Sequence, residues 1–325
     1  MDEMKVSSKS NGSGKSEHVK MLVIGSGPAG FAAGLYAGRA QLNPVILTGQ
    51  ELGGQVSITH MVENYPGFPE GVAGPELTQL FQKQAERFGA KVVFDTASAV
   101  DFSKRPYRVT TYSGEYLADT IVISTGASPR KLDIPGEMKY TGKGVSYCGT
   151  CDGFFFKDKE VIVVGGGDSA MEEGSFLTRF ANKVTVIHRR DELRASAILE
   201  QRAKNNEKID FIWDTAVESI ESKGDGTVDF VKLKNLKSGE LSEFSTDGVF
   251  IFIGHLPNTA MFANQLEMDD AGYLVVNSHM ETNVPGVYAA GEVADPHFRQ
   301  VITSAGMGAA AAIQATRHLE ELEEA

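Results

Sequence analysis

An apolar stretch from Val19 to Ile24, interrupted only by Lys20, stops at Gly25-Ser26-Gly27-Pro28-Ala29-Gly30. A helical stretch from Phe31 to about Arg39 comes next, and a second apolar segment runs from Pro44 to Leu47. Short continuous apolar runs bounded by glycine predict buried strands, so this region reads as strand, tight turn, helix, strand. Counting from Gly25 to Gly165, 140 residues later, the same pattern returns. There the strand is Val161 to Val164, the turn Gly165-Gly166-Gly167-Asp168-Ser169-Ala170, and the second strand Val184 to Ile187. Two more strands end at glycine turns. Ile121 to Ser124 enters Thr125-Gly126-Ala127, and Gly286 to Ala290 enters Gly291-Glu292-Val293-Ala294-Asp295. Arg299-Gln300-Val301 then lead to an alanine-rich helix from about Thr303 to Leu322.

A glycine-rich turn between a strand and a helix is the context in which G-x-G-x-x-G binds a dinucleotide. Gly25 permits the tight turn, Gly27 lets backbone approach a pyrophosphate, and Gly30 brings helix and strand together. Pro28 and Ala29 open the helix, whose N-terminus faces the phosphate charge. In the later copy Gly165, Gly167, Asp168, Ser169 and Ala170 occupy the same offsets. The ends of the second strands distinguish the two sites. The later strand runs into His188-Arg189-Arg190, with Arg194 shortly after, where an NAD site carries an acid against the ribose. Cationic groups there favour a 2′-phosphate, so this unit is expected to take NADPH. The earlier strand ends at Thr48, with Glu51 beyond it and no arginine cluster, and is expected to hold the adenine half of FAD.

Chain order then predicts an α/β architecture of two Rossmann-like nucleotide-binding domains, the NADPH domain inserted into the FAD domain. The FAD domain is expected at 19–130 and 259–325, and the NADPH domain at 131–258. Residues 1–18 are polar and small and are expected to be disordered.

The 325 residues are 42% hydrophobic and 23% charged, as a soluble globular protein requires. No apolar run approaches the roughly 20 residues of a membrane span, so a cytoplasmic protein is expected. A net charge of -12 argues against nucleic acid or anionic membranes as partners. The only two cysteines, Cys148 and Cys151, stand as C-G-T-C in the inserted domain. This spacing points to redox chemistry, with Asp152 placed to exchange a proton with the adjacent thiol. A structural disulfide, a zinc half-site and two inert thiols are the other readings. Zinc would need a second cysteine pair or a nearby histidine pair, so no metal is expected.

Together, G-S-G-P-A-G, G-G-Q at 53–55, E-N-Y-P-G-F at 63–68, C-G-T-C-D-G, G-G-G-D-S-A, H-R-R-D-E-L-R-A and G-E-V-A-D followed by R-Q resemble bacterial-type thioredoxin reductases. The resemblance covers nearly everything after residue 18. It implies a homodimer with one FAD and one NADPH per subunit, passing electrons to thioredoxin or a similar small dithiol protein. It implies that Cys151 is the flavin-proximal thiol, Cys148 the thiol exchanging with the partner, and Asp152 the acid. Gly54, Gln55, Thr59, Asn64, Thr125, Gly126, Ala127, Gly291, Glu292, Arg299, Gln300 and Val301 fall in the flavin-type segments. His188, Arg189, Arg190 and Arg194 match the 2′-phosphate positions. Three residues depart from the pattern: Glu292 where Asp is common, Gly149 where Ala or Ser is common, and Val301 where Ala is usual. A flavin-dependent dithiol oxidase, or a reductase of another small redox protein, is the alternative reading. An oxidase has no need for the arginines.

Overall fold

The structure, a computed structural model, describes residues 16–59, 61–224 and 226–324. The chain divides into two compact units, one comprising 1–57, 75–126 and 257–325, the other 58–74 and 127–256. The disorder expected of 1–15 lies outside the described residues. Ser16, Glu17 and His18, assigned to the same tail, instead begin the strand Ser16–Ile24 and pair with Glu115, Tyr116 and Leu117. Ladder bonds are made by the backbone, so the strand outruns its apolar segment while its first side chains stay exposed.

In the first unit, Ser16–Ile24 lies between Val45–Leu47 and Glu115–Ile123, parallel to both. Lys91–Val93 extends the sheet beyond Val45–Leu47, and Val287–Ala289 pairs parallel with Glu115–Ile123. An antiparallel hairpin, Ala97–Asp101 and Tyr107–Thr111, completes it. The helix Pro28–Arg39 and the long C-terminal helix Val301–Glu324 pack together on one face, using Ala29, Ala33, Ala37, Ala311, Ala312 and Ala315. These small side chains let the helices approach closely. A strand covered on both faces must be apolar throughout, which is why Leu22, Val23 and Ile24 are all buried.

The second unit repeats the plan. Glu160–Val164 lies between Lys183–Ile187 and Gly248–Ile251, with Ile209–Ile212 and Val145–Ser146 at the edges, all parallel. A three-stranded antiparallel sheet, Thr215–Glu221, Phe230–Asn235 and Leu241–Ser245, follows in the same unit. In each unit the glycine-terminated strand is flanked by the next strand of its repeat on one side and a later strand on the other. That reversal of strand order opens a crevice at the carboxyl ends, where such sheets bind ligands.

Candidate active site: two glycine loops and a disulfide turn

The first loop leaves its sheet through matched backbone bonds. Gly25 donates its N–H to the Leu47 carbonyl at 2.9 Å, and Ser124 donates to Ile24 at 2.8 Å. Gly25 has φ +112, and a Cβ there would overlap the Ser124 carbonyl. A Cβ on Gly30 would overlap the Gly25 carbonyl, so the helix starts in direct contact with the turn. At Gly27, the N-cap of Pro28–Arg39, a Cβ would meet nothing within 4 Å. The loop is closed where it packs and open where a pyrophosphate would approach.

Other predicted positions of the first unit gather here. Gly54 lies beside Gly27, and a Cβ on Gly54 would stand 3.4 Å from the Gly27 Cα. Gly291, at φ +80, abuts Ala29 and Ser304, while Gly308 of the C-terminal helix lies against the Ala29 backbone. Thr125 and Gly126 are zipped to Asn258: the Thr125 hydroxyl donates to the Asn258 carbonyl, the Asn258 amide returns a bond to Thr125, each 2.8 Å, and Asn258 N–H donates to Gly126. Thr48 is buried, and its hydroxyl donates to the Gly49 carbonyl at 2.9 Å. Asp295 accepts the N–H groups of His297, Phe298 and Arg299, shaping the approach to Gln300 and Val301 at the start of the helix. Burial pushes the Glu292 carboxyl up to about 7, with Asp295 adding to the shift and Arg299 opposing it. Gln55 belongs to the short helix Gly54–Ile58. Thr59 and Asn64 fall in segment 58–74, and Ala127 in 127–256, all grouped with the second unit.

The second loop repeats these contacts. Gly165 donates to Ile187 at 3.2 Å and Phe252 donates to Val164 at 2.9 Å. A Cβ on Gly165 would overlap the Phe252 carbonyl and stand 2.9 Å from the Ala170 Cβ, whereas at Gly167 it would again meet nothing within 4 Å. The arginine segment is tied to this loop: Arg194 N–H donates to the Gly166 carbonyl at 2.7 Å, and Ser196 N–H to Asp168 Oδ1 at 2.6 Å. Leu193 anchors the segment in the core, leaving Arg189, Arg190 and Arg194 exposed. His188 does not join them. It is 4% exposed, and burial, reinforced by Arg194, Arg190 and Arg189, lowers its pKa. The end of the strand turns the His188 ring inward, unlike the three arginines.

Cys148 and Cys151 form a disulfide across the short helix Gly149–Asp152. Cys148 Sγ accepts the Cys151 N–H at 3.2 Å. Asp152, second after the glycine and threonine of the turn, takes a bond of 2.6 Å from the Ser146 hydroxyl, which itself accepts the Cys148 N–H at 3.1 Å. Sequence reasoning missed Ser146. It also missed Ser26, whose buried hydroxyl donates to the Thr48 carbonyl at 3.0 Å and accepts the Gly53 N–H at 3.1 Å. Ser26 thus ties the glycine turn to both ends of the 48–53 loop. Its place between two motif glycines is the only sequence signal for it.

Two dinucleotide-type folds and a redox-type disulfide in one chain define a class of disulfide oxidoreductases. The pyridine nucleotide-disulphide oxidoreductase family matches residues 19–309. A thioredoxin reductase of Peptoclostridium litorale is 47% identical over 308 residues, covering 93% of this chain and 97% of the relative. A thioredoxin reductase of Rickettsia bellii is 50% identical over 305 residues, 93% of this chain and 98% of the relative. Among solved structures, thioredoxin reductase from Streptococcus pyogenes superposes with a TM-score of 0.89 at 42% identity, covering 94% of this chain and 99% of that one. The chain belongs to the pyridine nucleotide-disulphide oxidoreductase family, within its thioredoxin reductase branch. It is an oxidoreductase. Among the described residues no helix is long and apolar enough to cross a membrane, and no group of three or more His, Cys, Asp or Glu is placed to hold a metal.

Proposed function

We propose that the chain is an FAD-containing, NADPH-dependent thioredoxin-disulfide reductase, working as a cytoplasmic homodimer. The observation that carries this reading is the Cys148–Cys151 disulfide in the same unit as a glycine loop bordered by three exposed arginines. Bound FAD would supply two-electron transfer between a nicotinamide and a disulfide. Gly25, Gly27 and Gly30 would admit its pyrophosphate, with Gly291, Glu292 and the start of the C-terminal helix beside that loop. Gly165 and Gly167 would admit the NADPH pyrophosphate, and Arg189, Arg190 and Arg194 its 2′-phosphate.

The disulfide turn distinguishes its two sulfurs. The Cys151 N–H aimed at Cys148 Sγ favours negative charge on Cys148, which suits it to attack. Its thiolate would displace one sulfur of the partner disulfide, forming a mixed disulfide and releasing a partner thiolate that takes a proton. Cys151, deprotonated by Asp152, would then attack Cys148 Sγ. The internal disulfide re-forms and the partner leaves as a dithiol, two electrons and two protons richer. Ser146 orients Asp152 for that proton transfer.

The test is NADPH oxidation coupled to thioredoxin and a chromogenic disulfide, run with and without oxygen. Thioredoxin-dependent turnover is expected in both conditions, and loss of it in Cys148→Ser and Cys151→Ser variants that keep their yellow colour. Turnover that needs oxygen in place of thioredoxin would replace this reading with the oxidase.

A further inference from the structure

Gly149 opens the disulfide turn, and the place where its side chain would stand is taken by Glu173 from the helix Asp168–Leu177. A Cβ on Gly149 would overlap Glu173 Oε2 and lie 3.5 Å from the Glu173 Cβ and Cδ. That same Oε2 accepts the Thr150 N–H at 3.1 Å. The next N–H along, from Cys151, goes to Cys148 Sγ, and Thr150 Oγ1 is 3.4 Å from that sulfur. Carboxylate and sulfur therefore draw on consecutive N–H donors of one turn. A like charge disfavours ionisation of its neighbour, and a donor already taken cannot stabilise a second anion.

We infer that Glu173 is a positioning residue that sets the acidity of Cys148. Admitted by the absence of a side chain at 149, its carboxylate holds the Thr150 peptide and keeps the Cys148 thiol less acidic than the turn alone would make it. The inference rests on Cys148 being the attacking thiol. Reduction of the pair takes up two electrons and two protons, giving two thiols. A thiol that gains less by ionising makes that reduced form less stable, hence a stronger donor to a partner disulfide. Titratable groups on the same elements include Asp152 in the turn, Asp168 and Glu172 on the helix of Glu173, and nearby in sequence Tyr147, whose hydroxyl is bonded to Glu137.

The experiment uses a Cys151→Ser background, in which Cys148 is the only thiol of the chain, and follows iodoacetamide alkylation against pH. Glu173→Gln is expected to lower the alkylation midpoint by about one pH unit. Gly149→Ala, which keeps the charge but drives the carboxylate off Thr150, is expected to lower it too. Glu172→Gln, an exposed neighbour on the same helix, serves as control and is expected to leave it in place. In the two-cysteine protein, Glu173→Gln should raise the reduced fraction against a glutathione buffer at pH 8 by roughly threefold. An unmoved or raised midpoint in either Glu173→Gln or Gly149→Ala overturns the inference, and if Glu173→Gln does not fold, Gly149→Ala decides alone. Alkylation needs no turnover, so this failure is separate from failure of the thioredoxin assay.

Discussion

The imidazole of His188 lies directly against Gly166, the middle residue of the second glycine loop, so that a Cβ on Gly166 would overlap the ring. Trp213 backs the ring edge-on at 6.4 Å between centroids. His188 Nε2 is buried without a hydrogen-bond partner among the described residues. The ring thus works as a wedge between the arginine strand end and the loop, and it fills the space that Gly166 leaves.

A substitution at Gly166 should therefore be felt through His188. A ring backed by tryptophan is not a flexible tip that swings aside, so Gly166→Ala is expected to shift the loop. The expected cost is about 1–3 kcal/mol of stability together with weaker nucleotide binding. Adding His188→Ala should recover most of that loss, measured as thermal denaturation and nucleotide titration in a double-mutant cycle. Losses that simply add would show that the two residues do not oppose each other. Gly167→Ala, whose Cβ meets nothing, should keep parental stability.

On the proposed reading, the exposed arginines set the preference for NADPH. Replacing Arg189 and Arg194 together by Ala should raise the KM for NADPH at least tenfold and leave that for NADH nearly unchanged, since each charged hydrogen bond is worth roughly 1.5–3 kcal/mol. Steady-state kinetics with both nucleotides decide it. Equal use of NADH and NADPH by the unmodified enzyme would reject the assignment.

Glu292 makes a prediction about pH. Its carboxyl is raised from 4.5 to about 7 in the folded chain, so the folded state holds this proton more tightly than the unfolded state. The resulting stability is fully present below pH 4.5 and is lost as pH rises through 7. In flavin-stripped protein, urea denaturation should show a decline of about 3 kcal/mol from this group between those limits. Glu292→Gln should flatten the profile and be the more stable protein at pH 8. A parental slope in that variant would mean that other groups produce it.

Both glycine loops, their strands and the cysteine turn were legible in the chain because each depends on local sterics. Gly25 and Gly165 hold backbone angles that other residues rarely adopt, with later carbonyls pressed against their Cα atoms, and apolar runs mark strands covered on both faces. Chain order alone led to the expectation of one unit inserted in the other, but did not anticipate that residues 58–74 group with the second unit. The extent of the first strand did not follow from it either, since residues 16–18 are held by backbone pairing with a segment about 100 residues away, which side-chain pattern does not report. Nor did the polar tethers, Ser26 between two loops, Ser146 on Asp152 and Glu173 against Gly149, because a lone serine or glutamate has no periodicity and its partner is chosen by tertiary packing. His188 and Arg189 are adjacent and both basic, yet one is buried and the other exposed. Only the sheet's placement decided which way each side chain turned at the end of Lys183–Ile187, by covering one direction with Gly166 and Trp213 and leaving the other to solvent.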